Sequence, residues 1–417
     1  MIPILVLTLA FAVGDTLKLD IKGAVDLALQ GNLDYRVQAL SNTSSKLDFA
    51  GRVTSYLPEP TLRATYSEYE TQYGGLIPWK GYLVDLSVTQ TIFSFQKLAS
   101  LWGGKMDLDR GHALLQEAKN YLSYEVENLY LNVLKESNTL EMQMSALKRA
   151  EENFRLIGVK GRLGQASKLD VLNAQVTLNQ SKLALANAKK NARITERLFL
   201  NVLGIHSYPE LVLEPPVEQA TLSDLPPLQT LLSEAFEQRP SLMALQKRVA
   251  SAGSDFLGQL FAFVPTVSYE WSWEYTGEEF PSPDKFGDKA LKGSGVSAGI
   301  SFNPISYPLS VQKTKTALDM ARAEHEKEKL IVAKQVEEVY LTHTTARDNL
   351  ELARLTLDAA KEGGELARAQ YRLGLLKPLE LFDAETRLLN AEADYLSAVY
   401  DVYLSRSALR FAVGGGF

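Results

Sequence analysis

Two stretches of this chain share one plan. GRLGQASKLDVLNAQVTLNQ begins at Gly161 and YRLGLLKPLELFDAETRLLN at Tyr371. Arg162-Leu163-Gly164 aligns with Arg372-Leu373-Gly374, and the offset of 210 residues holds without a gap to Gly204 and Gly414. Leu169/Leu379, Ala174/Ala384, Leu178/Leu388 and Ala188/Ala398 fall in register. Upstream, LPEPTLRATYSEYE from Leu57 corresponds to FVPTVSYEWSWEY from Phe263, and LVDLSVTQTIF from Leu83 to GVSAGISFNPI from Gly295. AVDLALQGNLDYRVQAL near the start echoes LLSEAFEQRPSLMALQ from Leu231. A tandem duplication constrains the fold strongly, because whatever one copy forms the other forms too. The expected boundaries are a first repeat over 15–205, a Pro- and Glu-rich linker over 206–227, and a second repeat over 228–417.

Each copy reads helix, strand, loop, strand, very long helix, tight turn, helix. The long helices are expected over about Gln96–Val159 and Leu309–Arg372; neither has a proline after its first turn, and both are rich in Leu, Ala, Glu and Lys. At 1.5 Å rise per residue each is about 95 Å long, beyond the reach of a globular core. The returning helices carry seven-residue spacing, Leu169, Val176 and Leu183 in one and Phe382, Leu389, Leu396 and Tyr403 in the other, which favours coiled-coil packing of antiparallel neighbours. A soluble periplasmic coiled-coil scaffold would explain these helices equally well. It would not explain the strands.

In VPTVSYEWSWEYTGEE (Val264–Glu279), Val267, Tyr269, Trp271, Trp273 and Tyr275 alternate with Ser268, Glu270, Ser272 and Glu274. That period belongs to a strand with one apolar and one polar face. Leu62, Ala64 and Tyr66 alternate likewise with Arg63, Thr65 and Ser67, and Val84, Leu86 and Val88 with Asp85, Ser87 and Thr89. Each copy thus offers two strands of about ten residues, the length of a tilted membrane-barrel strand. The polar loops between them are ETQYGGLIPWKG (70–81) and TGEEFPSPDKFGDKALKG (276–293). A soluble sandwich also alternates, but its inward face favours Val, Ile and Leu over a Tyr-Trp-Trp-Tyr run. Three of the four tryptophans, Trp79, Trp271 and Trp273, lie in these units. Four strands cannot close a barrel in lipid, so subunits must share one; a dimer or a trimer would satisfy the count.

With these features the sequence resembles the TolC family of outer-membrane efflux and secretion channels, from Leu19 to Gly414. The paired turns RLGQASKLDVLNAQ and YRLGLLKPLELFDAE and the duplicated strand pairs carry the resemblance. It implies a mostly α-helical fold with a membrane β-barrel: a homotrimer with one shared 12-stranded barrel, four strands per subunit, continued by a tunnel of long helical hairpins. Tyr66, Tyr269, Trp271, Trp273 and Tyr275 would then face outer-membrane lipid. The protein would be the passive outer-membrane exit duct of a tripartite efflux pump or type I secretion system, served by a periplasmic adaptor and an inner-membrane transporter. The family's N-terminal Asn-Pro is Asn32-Leu33 here, and its second-copy counterpart is Arg239-Pro240.

At the turns, Asp170, Glu380, Asp383 and Glu385 place carboxylates just past the tips. Glu380 and Asp383, three residues apart, share a helix face. Acidic residues in a first helical turn are also ordinary partners of the helix dipole. The resemblance implies more: Glu380 and Asp383 would ring the periplasmic entrance, Tyr371 would hydrogen-bond Asp170 as a latch, and Arg162-Leu163-Gly164 with Arg372-Leu373-Gly374 would meet the adaptor. The family's latch arginine falls at Leu376, so that part is missing unless Lys377 replaces it.

Other signals exclude function classes. A net charge of −6 with scattered Lys and Arg gives no nucleic-acid footprint. The absence of cysteine excludes a disulfide scaffold, an iron–sulfur site and an acylated-Cys anchor. Residues 1–14 read as a signal peptide, with a short apolar run from Ile2 to Val13 and the small-x-small site Ala10-Phe11-Ala12. Gly295-Val296-Ser297-Ala298-Gly299 matches a nucleophile elbow, but alternation continues through it, so no enzyme is expected. His112, His206, His325 and His343 have no metal-ligand spacing and are expected on solvent-facing helix or linker surfaces. No cofactor or metal is expected, and a metal-ion efflux channel, which would share the fold, gains nothing from so few histidines.

Overall fold

The computed structural model describes residues 16–69, 79–207, 209–215, 225–300 and 303–415. The expected signal peptide and most of the 70–81 loop lie outside them. The chain forms two compact units, one of Met1–Gln38, Leu115–Pro240 and Lys329–Phe417, the other of Ala39–Leu114 and Ser241–Glu328.

The elements in order are β1 (Thr16–Leu19), α1 (Ile21–Gly31), α2 (Leu33–Thr54), β2 (Glu59–Tyr69), β3 (Trp79–Phe93), α3 (Phe95–Arg162), α4 (Lys168–Val202), β4 (Glu210–Leu213), α5 (Leu228–Gln238), α6 (Pro240–Leu260), β5 (Thr266–Gly277), α7 (Pro283–Lys289), β6 (Leu291–Gly299), α8 (Tyr307–Arg372) and α9 (Pro378–Val413). The long helices α3 and α8 contain 68 and 66 residues. The single helix expected before each strand pair is in fact two. Asn32 breaks the first: its Oδ1 accepts from Tyr35 N at 2.9 Å, and its Nδ2 donates to the Val202 carbonyl at 3.0 Å. Arg239 has no acceptor to cap α6, where Pro240 supplies the start instead. It keeps the other contact, donating to the Ala412 carbonyl at 3.1 Å.

Both long hairpins turn through the same motif. Gly164 and Gly374 are left-handed, with φ of 71° and 76°. Gln165 N donates to Lys160 O at 2.8 Å and Gly164 N to Gly161 O at 3.1 Å; Leu375 and Gly374 repeat this onto Gln370 and Tyr371 at 2.9 and 3.1 Å. These are Schellman caps, for which a residue without Cβ is the natural choice.

In the first unit, α3 of one hairpin runs antiparallel to α9 of the other along a ladder of polar contacts. Glu127 meets Ser407 and Arg410, Lys135 meets Ser397 and Asp401, Asn138 meets Tyr400, Arg149 meets Glu392, and Asn153 meets Glu385. One core cluster gathers Ala24, Ala28, Val126, Tyr130, Phe199 and Leu203. The Tyr130 hydroxyl lies 2.9 Å from the Leu19 carbonyl and 2.8 Å from that of Glu214, and burial pushes its pKa up to about 12. It thereby anchors the parallel pair β1–β4. β4 lies within the segment 206–227, read from sequence as a linker or equatorial segment.

Within one chain Leu169, Val176 and Leu183 are 65%, 53% and 65% exposed, while α4 buries Ala174, Leu178, Ala188 and Phe199. The helix has two apolar faces, and α3 uses the other one. His343 is not solvent-facing but 2% exposed, with Nδ1 2.9 Å from Ser405 Oγ. Burial and the nearby Arg347 and Arg406 charges hold its pKa below the usual imidazole value.

The second unit holds a four-stranded antiparallel sheet in the order β2-β3-β5-β6. Each strand joins its neighbour by ladder bonds, so β2 and β6 are the two edges.

Candidate functional site

The register sorts the alternating residues into two faces. Leu62 pairs with Leu86, and Leu86 with Trp273; Val88 pairs with Trp271, and Val84 with Ala64 and Tyr275. The other face carries Arg63, Asp85 and Glu274 in one row and Ser87 and Ser272 in the next. One face is therefore apolar and aromatic across three strands, and the reverse is polar and charged. On β6 the pattern weakens, since Lys292 and Ser294 stand opposite Trp273 and Trp271. Among the described residues no helix is long and apolar enough to cross a membrane.

Of the aromatic residues singled out from sequence, Tyr66 and Trp271 are exposed on the apolar face, and Tyr269 and Trp273 are half-buried on it. The Tyr269 and Trp271 rings pack with centroids 4.3 Å apart. Tyr275 departs from the expected bare, lipid-facing position. It is 8% exposed beneath the loop helix α7, where Phe286 and Ala290 cover it together with Val84. The side chain of Trp79 lies outside the described residues. Gly295–Gly299 lies within β6, with Ser297 paired to Ser268, so the strand-to-helix turn required of a nucleophile elbow is not formed there.

The second candidate is the pair of hairpin tips. Arg162, Leu163, Gly164, Arg372, Leu373 and Gly374 are all exposed. The Tyr371–Asp170 hydrogen bond implied by the family resemblance is not formed. Asp170 Oδ2 turns back on its own helix, accepting from Ser167 N at 2.8 Å and Ser167 Oγ at 2.7 Å, while Asp170 N donates to Ser167 Oγ at 3.1 Å. This closes a capping box, which satisfies the exposed N–H groups of α4 locally. The Tyr371 hydroxyl is buried and has no hydrogen-bond partner among the described residues. Burial first, and the Asp170 charge second, push its pKa up. Glu380 and Asp383 are exposed, with Glu380 accepting from Lys377 N at 3.3 Å. Glu385 is tied down by Asn153 at 2.5 Å and Arg368 at 3.3 Å.

Leu376, where the family would have its arginine, joins an apolar cluster of Ile157, Ala174, Ala367, Tyr371 and Leu381. The cation at the tip comes instead from α3. Lys160 Nζ stands 3.9 Å from the centre of the Tyr371 ring and 3.4 Å from the Tyr371 carbonyl oxygen. No spacing rule marks this lysine; its only sequence signal is a basic residue in the last turn of a helix.

A sheet with one aromatic and one charged face, together with helical hairpins of this length, defines the class of outer membrane proteins that join strands to long coiled helices. The chain belongs to the outer membrane efflux protein family, whose profile matches it twice, over residues 24–204 and 231–415. This places it at the outer membrane and disfavours the soluble scaffold. It is 22% identical over 299 residues to the toluene efflux pump outer membrane protein TtgC of Pseudomonas putida, a match covering 70% of this chain and 60% of that protein. Outer membrane protein OprJ of Pseudomonas aeruginosa is 23% identical over 318 residues, covering 72% and 62%. The chain thus spans about three fifths of the length of these relatives. Among solved structures, the Campylobacter jejuni CmeC outer membrane channel superposes with a TM-score of 0.84 at 17% identity, covering 95% of this chain and 86% of that one. The Neisseria gonorrhoeae MtrE outer membrane channel, in its open state, gives 0.81 at 17%, covering 95% and 89%. The fold is shared with both.

Proposed function

We infer that the chain is the exit duct of a tripartite efflux pump, a homotrimer that passively conducts substrate out through the outer membrane. The sheet carries this reading: one apolar face, one charged face, and open edges at β2 and β6. Unpaired edges are untenable in hydrocarbon, so the sheet must be completed by other copies, and three copies of four strands give a twelve-stranded barrel. The polar face with Arg63, Asp85 and Glu274 then lines water, and Trp271 and Trp273 face lipid. The helices support the same assembly. Leu169, Val176 and Leu183 on α4 and Leu341, Leu352 and Leu366 on α8 are exposed apolar stripes that a neighbouring copy would cover. The two repeats would serve as pseudo-equivalent wall segments, so that three chains present six hairpins.

Energy would come from an inner-membrane transporter, reached through a periplasmic adaptor that docks at the exposed R-L-G turns. The tips form the entrance, with Glu380 and Asp383 of three chains placing six carboxylates near one axis. Such a ring attracts cations and repels anions. Protein carrying Glu380→Gln with Asp383→Asn, recorded in planar bilayers, is expected to lose most of its cation preference and its block by multivalent cations. Unchanged selectivity would remove these carboxylates from the conduction path.

A further inference from the structure

We propose that Lys160 is the cation that locks the hairpin tips, holding α8 against α3 through the ring face and carbonyl of Tyr371; the proposal rests on reading the tips as the entrance. Three observations converge on this lysine. Its ammonium lies over the Tyr371 ring at 3.9 Å, well inside the range of a cation–π contact. The Tyr371 carbonyl 3.4 Å from the ammonium also accepts from Gly374 N at 3.1 Å, in the cap that closes the second turn. The carbonyl of Lys160 itself accepts from Gln165 N at 2.8 Å, in the cap that closes the first. One residue therefore belongs to the first turn through its backbone and to the second through its side chain.

The surroundings make this contact count. Tyr371 is 4% exposed and fixed in the apolar cluster with Ile157, Ala367 and Leu381, so its ring is a rigid, partly desolvated seat. A cation near the ends of α3 and α8 also lies where both helix dipoles favour positive charge. Asp170 is committed to Ser167, and Leu376 packs as an apolar side chain, so neither provides an ionic latch. The counterpart of Lys160 under the repeat offset is Gln370, which has no charge. Each chain therefore has one lock, between its two hairpins.

The test is single-channel recording of the full-length protein with Lys160→Met, which keeps the aliphatic stem and removes the charge and donor. Losing the shielded cation–π contact should raise open probability by roughly tenfold, and Lys160→Arg should restore the parent's low value. Tyr371→Leu, which removes the ring, should reproduce Lys160→Met, and the yield of heat-resistant oligomer should match the parent throughout. If Lys160→Met and Tyr371→Leu gate like the parent while Glu380→Gln with Asp383→Asn alters selectivity, the lock is wrong and the entrance stands. If the carboxylate variant is also without effect, the tips are not the entrance, and the lock fails with that reading.

Discussion

Trp271→Arg is expected to destabilise the assembled protein by about 2–4 kcal/mol if the side chain lies near the bilayer midplane, and by less towards either interface. Trp271 is 38% exposed on the face it shares with Leu86, Val88 and Trp273, so an arginine there would meet hydrocarbon in the assembly. The neighbouring Ser272 stands opposite Ser87 and Gly293 on the reverse face. Ser272→Arg should therefore be mild, because its guanidinium would enter water. The loss of heat-resistant oligomer on gels compares the two directly. Equal effects would mean that the alternation does not separate lipid from water.

Gly31→Ala is expected to cost about 3 kcal/mol, at the upper end of the range for overpacking a tight site. A Cβ on Gly31 would lie 2.4 Å from the carbonyl oxygen of Leu203, and one on Gly204 would lie 2.3 Å from that of Gly31. The obstacle in each case is backbone, which cannot rotate aside as a side chain would. Gly204→Ala adds the strain of φ +76°, about 1–2 kcal/mol for a residue with a Cβ. The second repeat is looser, with a Cβ on Gly414 meeting Gln238 at 3.2 Å. Gly51 is the internal control: it is helical, and a Cβ added there would meet nothing within 4 Å, so Gly51→Ala should stabilise by roughly 0.5–1 kcal/mol. Thermal unfolding in detergent should rank the variants Gly51→Ala above parent, and parent well above Gly31→Ala. A Gly31→Ala protein as stable as the parent would show that α1 and the end of α4 do not interlock in this way.

Much of the architecture was legible in local pattern. The period-2 alternation at Leu62–Ser67, Val84–Thr89 and Val267–Tyr275 gave the strands and their faces, and R-L-G at two positions gave the turns. The proline-free runs gave α3 and α8 to within a few residues. What stayed hidden depends on partners far away in sequence. β1 and β4 are four residues each and pair across the whole first repeat, so neither has a convincing period of its own. The heptad spacing on α4 marked an apolar stripe, but spacing shows that a stripe exists and not which neighbour covers it. α7 was obscured by Pro283 in its first turn and by a loop-like composition, although Phe286 gives it an apolar anchor. At the tip, Asp170 and Tyr371 were found by family likeness, but a carboxylate three residues after a serine has a local alternative, and the capping box takes it. Lys160 showed only as a basic residue in a last helical turn, since its significance lies in a ring more than two hundred positions away.

In the assembled channel β6 of one copy is expected to meet β2 of the next until three copies close a ring. The chain has no cysteine, so introduced thiols report without background. Thr65→Cys on β2 and Ser297→Cys on β6, both on the polar face, should be treated with a short bis-maleimide in isolated outer membranes and resolved on a denaturing gel. A covalent ladder of dimer and trimer that ends at three chains is expected, formed only when both cysteines are present. A ladder that runs past three chains, or a chain that stays monomeric under the same treatment, would contradict it.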